Sequence, residues 1–529
     1  MSKKSLVLTL VAHEGYFKSS DANAMSLGME LLFSSITDTY IPLLNMFETL
    51  DLDNVPFKIS LVLTPTLCAL LSDMELQENY VQWLDKLIAL GYSQIHKLRE
   101  EKSEKLKLAQ EELDRIIKTR FDFVEVYKSN LLEAFKYYAD RGSIELLTTA
   151  ATNAFLPHYI DLPEAINAQI ECGLLSHKHF FGVAPDGFWL PAMGYTAGLE
   201  SVLKNYGFSY TILDSHGVLF GDPTPVNGIF SPVSCENGFK ILAQDFTAEK
   251  ELVGPGGYVN RELYRDQNRD IAFEASSEEL KGYLEENEMR RSSGYKYWKK
   301  GEVNATLLYE EDLAIKQAEK DAALFVQKYE EKLKKAEKTL GTDNVSLTCV
   351  FSAKNFGQNW FEGIYWLEQV IRKVAVSEEI TLVTAYDVVD KKKDLQIVTP
   401  FLSAASGTGY GEDLLDTKNS WMLKYTYKAC QRMNYMADRF ADETGLMARA
   451  LNMAAREVLL AQSLDWADMV HDGIDAQYAE EEFKKNILAF TTVFDALGAN
   501  SISTEWLTKI EAEHSVFPWM NYRMFSKKQ

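Results

Sequence analysis

The sequence predicts an α/β protein built on a parallel sheet, followed by an all-helical C-terminal region. Three observations predict it. Short apolar runs alternate with amphipathic helical patterns through the first 400 residues, those runs read as buried strands, and everything after Trp421 is helical in pattern. Strands buried on both faces belong to parallel sheets covered by helices, and their alternation with helices marks β/α units, in a barrel or a doubly wound sheet.

In chain order the predicted strands are Leu6–Val11, Phe57–Leu63, Ile144–Leu147, Tyr210–Leu213, Val345–Phe351 and Ile380–Thr384. On such a fold, catalytic groups gather at the C-terminal ends of the strands. Residues 97–118 are densely charged, with Leu and Ile at helical spacing and Glu/Lys pairs four apart. They predict an exposed helix in a helical excursion spanning about 95–140. Residues 309–338 predict a second long charged helix. Residues 401–418, rich in Gly, Ser and Asp, predict a long loop. Residues 421–463 and 475–497 predict helices, few Gly or Pro interrupting them. The expected organisation is an α/β domain over 1–400 and a helical domain over 415–529.

A chain of 529 residues with 46% apolar content has ample material for two or three domains. The net charge of −22 repels nucleic-acid phosphates and anionic membranes, so neither is expected as a partner, whereas a neutral ligand fits. Cys68, Cys172, Cys235, Cys349 and Cys430 are scattered and odd in number, implying neither a disulfide framework nor a zinc site. Ser5–Ala12 is a short apolar run broken by Thr9, which predicts a core strand rather than a signal peptide. No apolar stretch is long enough to span a membrane. The expectation is a cytoplasmic protein without metal or cofactor.

Several stretches fall in a recognisable order. They are Ile36-Thr37-Asp38-Thr39-Tyr40-Ile41-Pro42, Leu63-Thr64-Pro65-Thr66, Gly142-Ser143-Ile144-Glu145-Leu146, Ala151-Thr152-Asn153-Ala154-Phe155-Leu156-Pro157, Gly187-Phe188-Trp189-Leu190-Pro191, Asp214-Ser215-His216-Gly217, Phe356-Gly357-Gln358-Asn359-Trp360 and Ala461-Gln462-Ser463-Leu464-Asp465-Trp466. Together they resemble the α-1,4-glucan branching-enzyme group of glycoside hydrolase family 57. The resemblance implies an incomplete seven-stranded parallel β/α barrel with a helical insertion and a helical C-terminal domain closing the cleft. It also implies a retaining mechanism, which uses one carboxylate as nucleophile and a second as acid/base, about 5–5.5 Å apart.

Both carboxylates implied by the resemblance are absent. The nucleophile position, after Trp189-Leu190-Pro191, is Ala192, and the acid/base position is Ser352, two residues before Lys354 where the family has Glu. A methyl group forms no glycosyl ester, and a serine hydroxyl is too weak an acid to protonate a leaving group near neutral pH. The first motif keeps His13 and Tyr16 but has Val11 in place of its other histidine. The second-motif histidine is Asn153, and the mobile-loop tyrosine is missing from Val253-Gly254-Pro255-Gly256. Asp245 persists, and the resemblance assigns His13, Glu145, Trp189, His216, Trp360, Asp465 and Trp466 to substrate binding, with the three tryptophans as stacking platforms. Three functions remain open at this point. They are a non-catalytic homologue that binds an α-1,4-glucan, a malto-oligosaccharide or a protein, an active branching enzyme or amylase-type glycosidase using displaced carboxylates such as Glu145 or Asp465, and an interaction protein with no sugar ligand.

Overall fold

The computed structural model describes residues 3–18, 26–283, 290–301, 307–392, 394–499 and 501–528. Its strands are β1 (Lys4–Ala12), β2 (Ile59–Leu63), β3 (Ile144–Thr149), β4 (Phe188–Trp189), β5 (Tyr210–Leu213), β6 (Val233–Ser234), β7 (Lys240–Ala243), β8 (Ser346–Ser352) and β9 (Ile380–Leu382). One sheet runs β4-β3-β2-β1-β8 with every pair parallel, and β5 pairs in parallel with β7. Single parallel bridges, Gly187 to Tyr210 and Gln244 to Thr348, join the two sheets. Seven parallel strands therefore follow one another around a lumen, and two of the joints are single bridges. β9 pairs with the first residues of β1, and β6 is an antiparallel edge on β7.

The strand sequences explain this arrangement. Val7, Val62, Leu147, Trp189, Tyr210, Ile212, Leu242 and Val350 form one cluster to which all seven barrel strands contribute, so they fill the lumen. The alternate residues, such as Leu6, Leu8, Leu10, Leu61 and Leu63, belong to the outer core shared with the helices. Because both faces are buried, the strands read as continuous apolar runs. The helix Ala385–Lys391 adds Ala385, Val388 and Val389 to the lumen cluster and plugs its floor.

Some expected elements change on inspection. The charged stretch 97–118 is not one helix: one helix ends at Glu100, Lys102 adopts φ 52°, and the next begins at Leu106. The expected 421–463 helix is two, Ser420–Arg439 and Gly445–Ala461, parted at Gly445 with φ 60°. The second charged helix runs over Glu311–Leu340 and the last long one over Ala476–Ala499. The outer core is continuous from Leu6 to Phe525, so the C-terminal helices pack directly on the barrel.

Candidate ligand-binding cleft at the mouth of the barrel

The C-terminal strand ends converge on His13, which follows β1. Its Nε2 lies 2.8 Å from Asp465 Oδ1 and 3.0 Å from the Asn153 amide nitrogen, and its Nδ1 is 3.2 Å from Thr64 Oγ1. Thr64 follows β2, where it caps the helix Pro65–Ser72, and Asn153 follows β3. Asp465 comes from the C-terminal helix Leu464–Asp472, anchored to the barrel by the Ala154–Ser463 bridge. Ser463 donates to Asp465 Oδ2 at 2.6 Å. Burial opposes ionisation of Asp465, but the neighbouring His13, the Ser463 hydroxyl and Lys354 hold its carboxyl below the usual range.

Ser352 ends β8 in register with Val11. Lys354 donates to Glu14 Oε2 at 2.9 Å, while Ser35 donates to Oε1 of the same carboxylate at 2.5 Å. Glu14 is 3% exposed, so its charge is neutralised in place. Sequence reasoning passed over Glu14, although it adjoins His13.

Ala192 lies on the turn after β4, with φ 49° and ψ 25°, and Met193 also has φ 49°. The left-handed region is unfavourable for residues carrying a Cβ, so this turn is held by its surroundings. The Ala405 N–H donates to Ala192 O at 2.6 Å, and Tyr195 and Ser403 exchange main-chain bonds of 2.8 and 3.2 Å. Ala192 packs on a cluster of Phe155, Ala404 and Leu414. The 401–418 loop is thus strapped against the Ala192 turn. His216, after β5, is fixed between Asp214 Oδ1 at 2.8 Å and Gly409 O at 2.7 Å, and Gln244 donates to Asp214 Oδ2 at 2.7 Å.

Thus His13, His216, Ala192 and Ser352 sit at the strand ends that form the mouth, and Asp465 joins them from the C-terminal helix. Glu145, Trp360 and Trp466 do not, and Trp189, the last residue of β4, packs into the lumen. Glu145 is the second residue of β3, four before its end, which at about 3.3 Å per residue puts it ~13 Å below the mouth. It accepts hydrogen bonds from Ser60 Oγ at 2.8 Å, the Tyr386 N–H at 3.1 Å and the Tyr210 hydroxyl, and burial pushes its carboxyl above the usual range. It belongs to the floor and cannot serve as a displaced catalytic carboxylate at the mouth.

The three tryptophans expected as platforms are packing residues. Trp360 is fully buried, with Tyr264 and Trp366 centroids at 5.1 and 5.8 Å. Trp466 donates Nε1–H to Leu460 O at 2.9 Å and packs on Phe17. Trp189 fills the lumen. Asp245 turns outward, capping the helix Phe246–Val253 and pairing with Lys332 and the Tyr329 hydroxyl. Among the described residues no group of three or more His, Cys, Asp and Glu is arranged to hold a metal ion, and no helix is long and apolar enough to cross a membrane.

A parallel β/α barrel with polar groups gathered at its C-terminal mouth defines the chain as a barrel-enzyme scaffold. Residues 7–399 match the model of glycosyl hydrolase family 57, and residues 425–525 match that of the C-terminal region of 1,4-alpha-glucan branching enzymes. The chain belongs to glycosyl hydrolase family 57. It is 24% identical over 504 residues to a 1,4-alpha-glucan branching enzyme of Thermococcus kodakarensis, covering 89% of this chain and 70% of the relative. The crystal structure of the alpha-amylase AmyC from Thermotoga maritima superposes with a TM-score of 0.92 and 31% identity, over 100% of both chains. The branching enzyme from Pyrococcus horikoshii shares the fold at a TM-score of 0.88 and 22% identity, over 99% of this chain and 97% of its own.

Proposed function

We propose that this protein binds α-1,4-glucan chains at the barrel mouth without turning them over. The observation that carries this reading is that Asp465, Glu14 and Asp214, three carboxylates at the mouth, are each held by polar partners. Asp465 is engaged by His13 and Ser463, Glu14 by Lys354 and Ser35, and Asp214 by His216 and Gln244. Asp245 faces a lysine outside the lumen. The two positions that the family resemblance assigns to chemistry hold Ala192 and Ser352. A neutral glucan is held in the ground state by hydrogen bonds and apolar contact, whereas the missing carboxylates act mainly in the transition state, so binding survives their loss.

Buried, unpaired cysteines suit a reducing compartment, and we place its work in the cytoplasm. The division into a barrel over 1–400 and a helical domain over 415–529 belongs to the same reading. The test is paired: calorimetry with maltoheptaose, and iodine staining plus reducing-end assay of amylose on long incubation. Heat of binding without product is expected. Robust turnover lost in Asp465→Asn would establish an active enzyme with a displaced carboxylate, and absence of both would make the protein an interaction scaffold.

A further inference from the structure

Two segments run side by side up the outside of the barrel, from Ile397 beside Ser234 at the floor end of β7 to Gly217 and Phe401 at the rim of the mouth. Asp222 and Thr399 exchange main-chain hydrogen bonds of 3.0 and 2.8 Å, and the Phe401 N–H donates to Gly217 O at 2.8 Å. The Gln396 side chain accepts from the Val226 N–H at 2.7 Å and donates to Thr224 O at 3.1 Å. Segments 217–228 and 396–402 thereby form one surface. It presents Phe220, Val226, Ile397, Phe401 and Leu402 to solvent at 64, 74, 56, 45 and 48% exposure. A contiguous apolar surface of this kind marks a binding site rather than scattered surface residues.

Its character narrows the occupant. In a chain of net charge −22, Asp222 is the one charged residue in either segment, so the surface suits a neutral ligand. Phe220 and Phe401 meet at 89° with centroids 6.3 Å apart, forming a two-walled aromatic corner. Phe220 also touches His216 at 6.5 Å, and His216 touches the half-exposed Tyr410 at 5.4 Å. A continuous aromatic line therefore leads from the mouth to the corner. Pyranose rings present C–H faces that stack on aromatic rings, and a coiled α-glucan curves as a perpendicular pair of walls does.

We propose that the Phe220–Phe401 corner is a second binding surface for an α-1,4-glucan, taking up a chain that leaves the cleft past His216. This rests on the glucan-binding reading above and assigns to the rim the stacking role that the buried tryptophans cannot perform. Long chains then bind by two contacts at once, while short oligosaccharides occupy the cleft alone.

The test is electrophoretic retardation in amylose-containing native gels, together with calorimetry using long-chain amylose and maltotriose. The proteins compared are the full-length wild type, Phe220→Ala/Phe401→Ala and Phe220→Leu, which keeps apolar volume but removes the ring. Losing one stacked ring is expected to weaken long-chain binding about tenfold, with maltotriose affinity and thermal melting unchanged. If the wild type binds no glucan, the underlying reading fails and this one with it. If the wild type binds amylose and the variants bind it equally, only the rim site is overturned. A concentration-dependent dimer abolished by Phe220→Ala/Phe401→Ala, with no glucan dependence, would give the surface to a second copy and also overturn it.

Discussion

Ala192 is at once the clearest sequence signal and a backbone anomaly that no sequence could announce. That the nucleophile position holds a methyl group is legible in the Trp189-Leu190-Pro191-Ala192 run, whereas its φ of 49° is a property of the turn and of the strap that bonds to it. Replacing Ala by Gly in a regular element costs roughly 0.5–1 kcal/mol, but at a left-handed position relief of the Cβ clash offsets it. Ala192→Gly is therefore expected to leave stability unchanged within about 0.5 kcal/mol in a urea titration. A loss above 2 kcal/mol would mean that the methyl contact with Phe155, Ala404 and Leu414 outweighs the strain. Glu145 shows the opposite limit. The motif names the residue, but a motif does not say which end of a strand it occupies, and Glu145 begins β3 rather than ending it. Its carboxyl is held above the usual range by burial, so the native state disfavours its charged form. The fold then loses stability as pH rises from the unfolded value of about 4.3 through the raised native one. Glu145→Gln has no proton to lose, so its stability relative to wild type should improve as pH climbs through that window. Its glucan affinity should match wild type, and a large loss of affinity would return Glu145 to the binding site.

At the scale of elements, the sequence disclosed the strands that are apolar on both faces. Leu6–Val11, Tyr210–Leu213 and Val345–Phe351 fall on β1, β5 and β8 with boundaries off by at most a residue or two. β4 is two residues long, and β7 is a short Lys-Ile-Leu-Ala run, so neither carries a pattern of its own. They close the ring only through neighbours distant in sequence. The tryptophans misled for a related reason. Aromatic rings look alike in sequence whether they face a cleft or a core, and Trp360 is enclosed by Tyr264 and Trp366. Trp360→Ala is thus expected to cost about 3–5 kcal/mol of folding stability, as a large core deletion does. A folded variant with full stability and weakened glucan binding would restore it as a platform. The 401–418 strap offers a second element to perturb. Gly409 has φ 111°, and a Cβ there would lie 3.0 Å from the His216 ring. Gly409→Ala should displace the strap from His216, seen as faster limited proteolysis within 401–418 at unchanged global melting temperature. Equal cleavage rates would show that the strap tolerates the change.

The molecule as a whole is one packed unit, although its sequence divides into an alternating part and a helical part. That division was legible because helical and strand periodicities differ, but their mutual packing was not, since the contacts join residues some 300 positions apart. The Thr152 hydroxyl and the Gln169 amide both donate to Leu459 O, Gln169 also reaches Gln462, and His13 meets Asp465. His179 and Trp519 rings pack at 4.4 Å. Thr152, Gln169 and Gln462 are buried, and each would be left unpaired without its partner. Leaving a buried donor or acceptor unpaired costs about 1–3 kcal/mol, and several such losses together rival the whole stability of a domain. Residues 1–415 expressed alone are therefore expected to lack a cooperative melting transition and to bind a hydrophobic dye, while adding the separate 416–529 segment should restore part of the transition. The barrel mouth would fail with the packing, because Asp465 arrives from the excised helix and His13 loses its partner. A sharp two-state melt of residues 1–415, with unchanged affinity for maltoheptaose, would show instead that the helical part is an independent appendage and that the cleft belongs to the barrel alone.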